Sequence, residues 1–273
     1  MRVLIVSGSR ADLGLLHCPE KALRDDGHDV CLYQMVAPSF EIAHSDARET
    51  FRSLQPNVIL ILGDRWEIMA AATAAHLQRV PIAHIGGGDV TEGSYDDAMR
   101  DCISRMATIH FTTSFASTAR LVAQGYHNVH LVGNPGVDYI MHEAWRRLRE
   151  IEEPYVLVSY QPETIDDTVD LGAVKEAIAG RRAVWINPNP DRGSECISGG
   201  ESYSHDRFLS LMYYCEEFIG NSSAMLYEAP FLKPGGVKCR MIGKRQRGRN
   251  IPWGGEGRSS ERIRDVLRLW PSS

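Results

Sequence analysis

Short apolar, β-rich runs recur along the first half of the chain, each followed by a stretch with helical spacing. Strands are predicted at Arg2–Ser7, Asp29–Met35, Val58–Leu62, Pro81–Ile85, Ile109–Thr113 and Val129–Val132. Helices are predicted between them at Leu13–Arg24, Glu41–Leu54, Trp66–Gln78, Asp96–Met106 and Ser117–Gln124. The run VILIL at Val58–Leu62 is apolar at every position, as expected of a parallel strand covered on both faces. The alanines of Trp66–Gln78 suit a helix lying close on a sheet. Tyr139–Glu153 reads as a charge-rich helical connector ending at Pro154. A second series follows, with strands at Tyr155–Ser159, Ala183–Asn187, Phe218–Ile219 and Val237–Ile242 and a last helix at Glu261–Leu269. The expectation is an α/β chain of two Rossmann-like domains, residues 1–150 and 151–273, with parallel sheets facing a ligand-binding cleft.

Composition narrows the class. Apolar residues make up 43% of the 273 positions and charged residues 24%, ordinary for a globular protein. No apolar run approaches the roughly 18–20 residues of a membrane span, and the N-terminus enters a strand directly, so a cytoplasmic protein is expected. The six cysteines are scattered without a CxxC pair, which argues for free thiols and against zinc. A net charge of −5 gives no general sign of nucleic-acid binding. Yet ten Lys and Arg fall between Lys238 and Arg268, opposed by Glu256, Glu261 and Asp265. That face is either solvated or partly turned toward a diphosphate or nucleic-acid backbone.

Candidate chemistry clusters at predicted strand ends, where parallel sheets bind ligands. Gly63–Arg100 contains two such ends and carries Asp64, Arg65, Glu67, Asp89, Asp96, Asp97 and Arg100. The first strand runs into Gly8-Ser9-Arg10-Ala11-Asp12, a glycine turn suited to an anion, with Asp12 alternatively capping the helix. The GxGxxG dinucleotide fingerprint is absent there, which argues against a nicotinamide cofactor. In the second half, Gly220-Asn221-Ser222-Ser223 follows an apolar strand and opens a helix, a phosphate cradle, and Glu228 beyond it can accept two ribose hydroxyls.

These motifs occur together and in order: GSRAD-GLL, GDRWE-AAATAA, PIAHI-GGD-TEG-DDAMR, VGNPGVD, and GNSSA-EAP followed by GKRQRGR. The chain resembles the UDP-N-acetylglucosamine 2-epimerase family, and within it the hydrolysing branch, from residue 8 to about residue 250. The resemblance implies the GT-B architecture and a UDP-sugar substrate. It implies an elimination in which a base takes the sugar C2 proton while UDP leaves C1, followed by addition of water. By the same resemblance Asp64, Asp96 and Asp97 are the catalytic carboxylates. Arg10, Asp12, Glu67, Asp89 and Arg100 are expected to bind substrate. Asn221, Ser222, Ser223, Arg245 and Arg249 would bind the diphosphate, and Glu228 the uridine ribose. No metal and no cofactor is expected, no membrane is involved, and a homodimer is left open.

Two departures matter. Gly86 stands where the family carries Glu or His, and Gln161 stands where it carries His. Neither can shuttle a proton. The chain is also shortened between Met35 and Phe51, on the sugar side. Two further readings therefore stay open: a GT-B glycosyltransferase with an acidic or nucleic-acid acceptor, and a sugar-nucleotide binder without catalysis.

Overall fold

The computed structural model describes residues 1–92, 94–142, 148–163, 169–188, 193–197, 199–245 and 252–270, with the backbone alone at 10 and 11. The chain forms two compact units. The first comprises Met1–Asp89, Asp96–His142 and Pro252–Ser273; the second comprises Val90–Tyr95 and Glu143–Ile251.

The first unit is built on β1 (Arg2–Ser7), β2 (Asp29–Gln34), β3 (Val58–Leu62), β4 (Ile82–Ile85), β5 (Ile109–Thr112) and β6 (Val129–Leu131). All pair in parallel, in the order β2-β1-β3-β4-β5-β6. Its helices are α1 (Arg10–Asp25), α2 (Phe40–Leu54), α3 (Trp66–Leu77), α4 (Asp96–Met106), α5 (Phe115–Ala123) and α6 (Pro135–His142). Alternation along the strands sorts side chains onto two faces. Leu4, Val6, Ile59 and Ile61 share a core with Phe51 of α2, the alanines of α3 and Ile103 of α4. Val3, Ile5, Val58 and Leu60 face the other way, onto Leu16 and Leu23 of α1. Helix α3 contacts both α2 and α4, and its buried alanines permit that close packing. Ser side chains open three helices by accepting a backbone N–H: Ser9 for α1, Ser39 for α2 and Ser114 for α5.

The second unit holds β7 (Val156–Ser159), β8 (Ala183–Trp185), β9 (Glu217–Gly220) and β10 (Cys239–Met241), a parallel sheet in the order β10-β9-β7-β8. Helices α7 (Leu171–Ile178), α8 (His205–Tyr214) and the short α9 (Ala224–Tyr227) belong to it. The α/β class with two parallel Rossmann-like sheets is as the strand pattern predicts.

Three expectations change. The last helix, α10 (Ser259–Arg268), belongs to the first unit rather than to a domain spanning 151–273. Its Ile263 and Leu267 are fully buried in the core with Val3 and Ile5, and each such side chain contributes about 2 kcal/mol. Val90–Tyr95 groups with the second unit although it lies between two elements of the first. The connector helix expected over Tyr139–Glu153 begins earlier, at Pro135, where the VGNPGVD turn supplies its first residues, and residues 148–153 are not helical. Within α6, Asp138 serves another helix: its buried carboxylate accepts the N–H groups of Ser259 and Ser260 at 3.1 and 2.6 Å, capping α10. No helix among the described residues is long and apolar enough to cross a membrane.

Candidate active site

Strand order locates the candidate loops. In the first sheet β2 lies to one side of β1 and β3 to the other, so the direction of winding reverses between β1 and β3. In the second sheet it reverses between β7 and β9. Ligands in open parallel sheets bind beyond the strand ends at such points. The turns Gly8–Asp12 and Gly63–Glu67 therefore meet at one switch point, and Tyr160–Glu163 and Gly220–Ser223 at the other.

In the first unit the organising side chain is Arg100, one turn into α4 and 2% exposed. Its Nη2 donates to Asp64, and its Nη1 donates to Asp97 and, at 2.7 Å, to the Asp89 carbonyl. One guanidinium thus holds the loop after β3, the loop after β4 and the first turn of α4 together. Asp96 and Asp97 open α4, where the helix dipole favours negative charge. Asp89 turns its carboxylate away to accept the hydroxyls of Thr113, at 3.1 Å, and Ser117. Its side chain fastens the β4 and β5 loops. Glu67 is buried and bonded to Arg65 through both carboxylate oxygens, at 3.2 and 3.0 Å.

At the neighbouring turn Asp12 accepts the Gly8 N–H at 3.0 Å while Ser9 Oγ accepts the Asp12 N–H at 3.3 Å, a reciprocal cap that shapes the turn. Burial raises the Asp12 carboxyl to about 6, against the opposing effects of Ser9 and Arg65. Arg10 begins α1, but its side chain lies outside the described residues.

The three glycines after β4 differ in their reasons. Gly86 has φ +87°, and a Cβ there would meet nothing closer than the Gly63 nitrogen at 3.9 Å, so backbone conformation rather than crowding favours glycine. Gly88 has φ +79°, and a Cβ would come 2.6 Å from the Ser117 carbonyl oxygen. Gly87 is needed by what it covers: its Cβ would lie 2.9 Å from Ser104 Oγ and 3.1 Å from His84 Nδ1. His84 is wholly buried on β4, and the sequence reading passed over it. The available signal was a histidine inside an apolar strand directly before glycines.

In the second unit Asn221 is fully buried, and its amide clasps the backbone of Gln161: Oδ1 accepts the Gln161 N–H at 2.6 Å and Nδ2 donates to the Gln161 carbonyl at 2.7 Å. Asn221 thus shapes the turn beside the expected diphosphate site. Gly220 allows the approach, since a Cβ there would lie 1.9 Å from the Ser159 carbonyl oxygen. Ser222 Oγ accepts the Ala224 N–H at 3.3 Å, and Ser223 precedes α9. Arg245 is buried and donates to the Pro162 carbonyl at 2.8 Å; Arg249 lies outside the described residues. Burial pushes the Glu228 carboxyl up to about 7, and His205 Nε2 lies 4.0 Å from it. Much of the basic C-terminal stretch is ion-paired: Arg258 with Glu261, Arg262 with Glu256, Arg264 with Asp265, Arg268 with Asp26, and both Lys238 and Arg240 with Glu217. Among the described residues, no group of three His, Cys, Asp or Glu is placed to hold a metal ion.

The family model described as UDP-N-acetylglucosamine 2-epimerase matches residues 34–253. The GDP/UDP-N,N'-diacetylbacillosamine 2-epimerase (hydrolyzing) of Campylobacter jejuni is 27% identical over 77% of this chain and 62% of its own length. The UDP-N-acetylglucosamine 2-epimerase of Neisseria meningitidis is 28% identical over 72% of this chain and 58% of its own. The chain thus spans about six-tenths of these curated relatives. A solved structure of UDP-GlcNAc 2-epimerase from Neisseria meningitidis, bound to UDP-GlcNAc, shares the fold with a TM-score of 0.75 at 17% identity, covering 98% of this chain and 100% of that one. The Methanocaldococcus jannaschii enzyme in complex with UDP-GlcNAc and UDP does so with a TM-score of 0.74 at 15% identity, covering 100% of this chain and 94% of that one. With the family model matched over most of its length, the chain belongs to the UDP-N-acetylglucosamine 2-epimerase family.

Proposed function

We propose that the chain is a hydrolysing UDP-sugar 2-epimerase, acting on UDP-N-acetylglucosamine by elimination and then hydration. The observation that carries this reading is the Arg100 cluster, which ion-pairs Asp64, at the switch point of the first sheet, and Asp97, in the first turn of α4. A carboxylate among Asp64, Asp96 and Asp97 takes the C2 proton as the bond from C1 to the UDP oxygen breaks, leaving a C1–C2 double bond. Water then adds its hydroxyl to C1 while a proton returns to C2 from the other face, giving the 2-epimer and free UDP. Gly86 and Gln161 cannot carry the proton, so the work falls on these carboxylates.

The second unit would take the nucleotide, with Ser222, Ser223 and Arg245 toward the diphosphate and Glu228 toward the ribose. Arg10 and Arg249 would add positive charge. The elimination needs no cofactor, because arginines and backbone N–H groups can bear the leaving charge. The names of the relatives and the UDP-GlcNAc-bound structures support this choice of substrate. Incubation with UDP-N-acetylglucosamine in deuterated water should release UDP and place deuterium at C2; release of neither overturns the reading.

Gly86 and Gln161 also favour a second reading, glycosyl transfer, in which no C2 proton moves. It requires UDP release to depend on an added acceptor, and acceptor-independent turnover excludes it.

A further inference from the structure

We propose that His84 is a positioning residue for Asp64, acting through the Gly63 carbonyl and braced by Ser104. His84 Nε2 lies 2.8 Å from the Gly63 carbonyl oxygen, and Nδ1 lies 3.2 Å from Ser104 Oγ on α4. A carbonyl only accepts, so Nε2 carries the hydrogen and Nδ1 accepts from the serine hydroxyl. One imidazole therefore joins the residue before Asp64 to the helix that carries Arg100, and Ser104 follows Arg100 by one turn. These are the two elements that the Asp64–Arg100 ion pair must bring together.

Three further observations agree. His84 pairs in register with Ile61 on one side and with the buried His110 on the other, on the face that carries the aliphatic core of Ile59, Ile61 and Ile82, where an imidazole is costly unless both nitrogens are bonded. Ser104 is itself 1% exposed, so the contact is closed to water. Gly87 lacks a side chain where a Cβ would crowd both partners, at 2.9 Å from Ser104 Oγ and 3.1 Å from His84 Nδ1. Burial pushes His84 down to about 4, with the Gly63 bond opposing the shift, so the ring stays neutral and holds a shape rather than moving a proton.

The test has two arms. The first reads geometry and needs no activity. Nitrogen-15 NMR should show His84 as the Nε2–H tautomer, unchanged between about pH 5 and pH 8. His84→Ala should speed amide exchange at Gly63–Arg65 by about tenfold or more, relative to the strand amides of Val3–Val6. An Nδ1–H tautomer, titration in that range, or unchanged exchange overturns the proposal. The second arm rests on the epimerase reading. His84→Ala should lower kcat about tenfold or more while UDP affinity by calorimetry stays within about twofold, and His84→Gln, which can still donate to Gly63, should recover part of the loss. Unchanged kcat, or a loss confined to KM, overturns the positioning role. Absence of turnover in the unsubstituted protein counts against the epimerase reading alone, and the first arm then decides the role of His84.

Discussion

Arg100 Nη2 donates to the carboxylate of Asp64 across 36 positions of sequence, and through it a helix that opens with two aspartates is tied to the end of β3. The same guanidinium takes Asp97 and the Asp89 carbonyl, so one planar fork serves three acceptors on separate segments. The sequence placed these residues within one stretch; the ion pair makes them one object.

Replacing Arg100 by Met should therefore do more than remove a substrate contact. Asp64 and Asp97 would lose their shared cation in a largely buried setting, and breaking a buried pair costs about 3 kcal/mol or more. Urea denaturation should show that loss, and turnover should fall with it. Arg100→Lys should recover only part, because an ammonium does not reproduce the planar fork. Undiminished stability in Arg100→Met would show that the cluster does not hold the loops.

Glu228 makes a prediction about pH. Burial raises its folded carboxyl to about 7, above the ordinary 4.5, so between these values the folded chain binds more protons than the unfolded one. Stability from this group is therefore greatest below about pH 4.5 and declines as pH rises through about 7, by an amount on the order of 3 kcal/mol. Glu228→Gln should flatten that part of the stability profile. Parallel profiles for the two proteins between about pH 5 and pH 8 would contradict it.

Asp138→Ala tests the cap on α10. The substitution removes the acceptor of two helix N–H groups and should cost about 1–2 kcal/mol, a few degrees in Tm for a chain of this size. UDP binding should be unaffected. A Tm equal to that of the unsubstituted protein would mean that the cap contributes nothing.

Gly86 and Gly88 separate conformational strain from collision. Gly86→Ala meets nothing closer than ordinary van der Waals contact, at 3.9 Å, and should cost about 1 kcal/mol for its positive φ alone. Gly88→Ala adds a Cβ 2.6 Å from a backbone oxygen and should cost more than about 3 kcal/mol or prevent folding. Equal losses in chemical denaturation would refute the distinction.

Much of the first unit was legible in the chain. Strands β1 and β3 keep the bounds read from their apolar runs, and β2, β4, β5 and β6 differ by one residue at an end. Strands buried on both faces leave an uninterrupted apolar signal. The second unit was harder. Helices α7 and α8 were not anticipated, because their apolar faces are short and are separated by Asn, Pro and Gly-rich sequence. At the candidate site the residue types were visible but their partners were not. Asn221 was read as a phosphate ligand, whereas its amide is bonded at both ends to Gln161, 60 positions away.

The sequence by itself determined the α/β class, the strand-end loops and the family resemblance, because these depend on local periodicity, glycine placement and short motifs. Tertiary structure decided that α10 covers the first sheet, that Asp89 and Asn221 brace loops, and that Gly87 lies against His84, which reaches the Gly63 carbonyl. Those assignments depend on which polar groups become neighbours once water is excluded. A buried donor or acceptor must then find a partner wherever the fold brings one, and separation along the chain does not specify it.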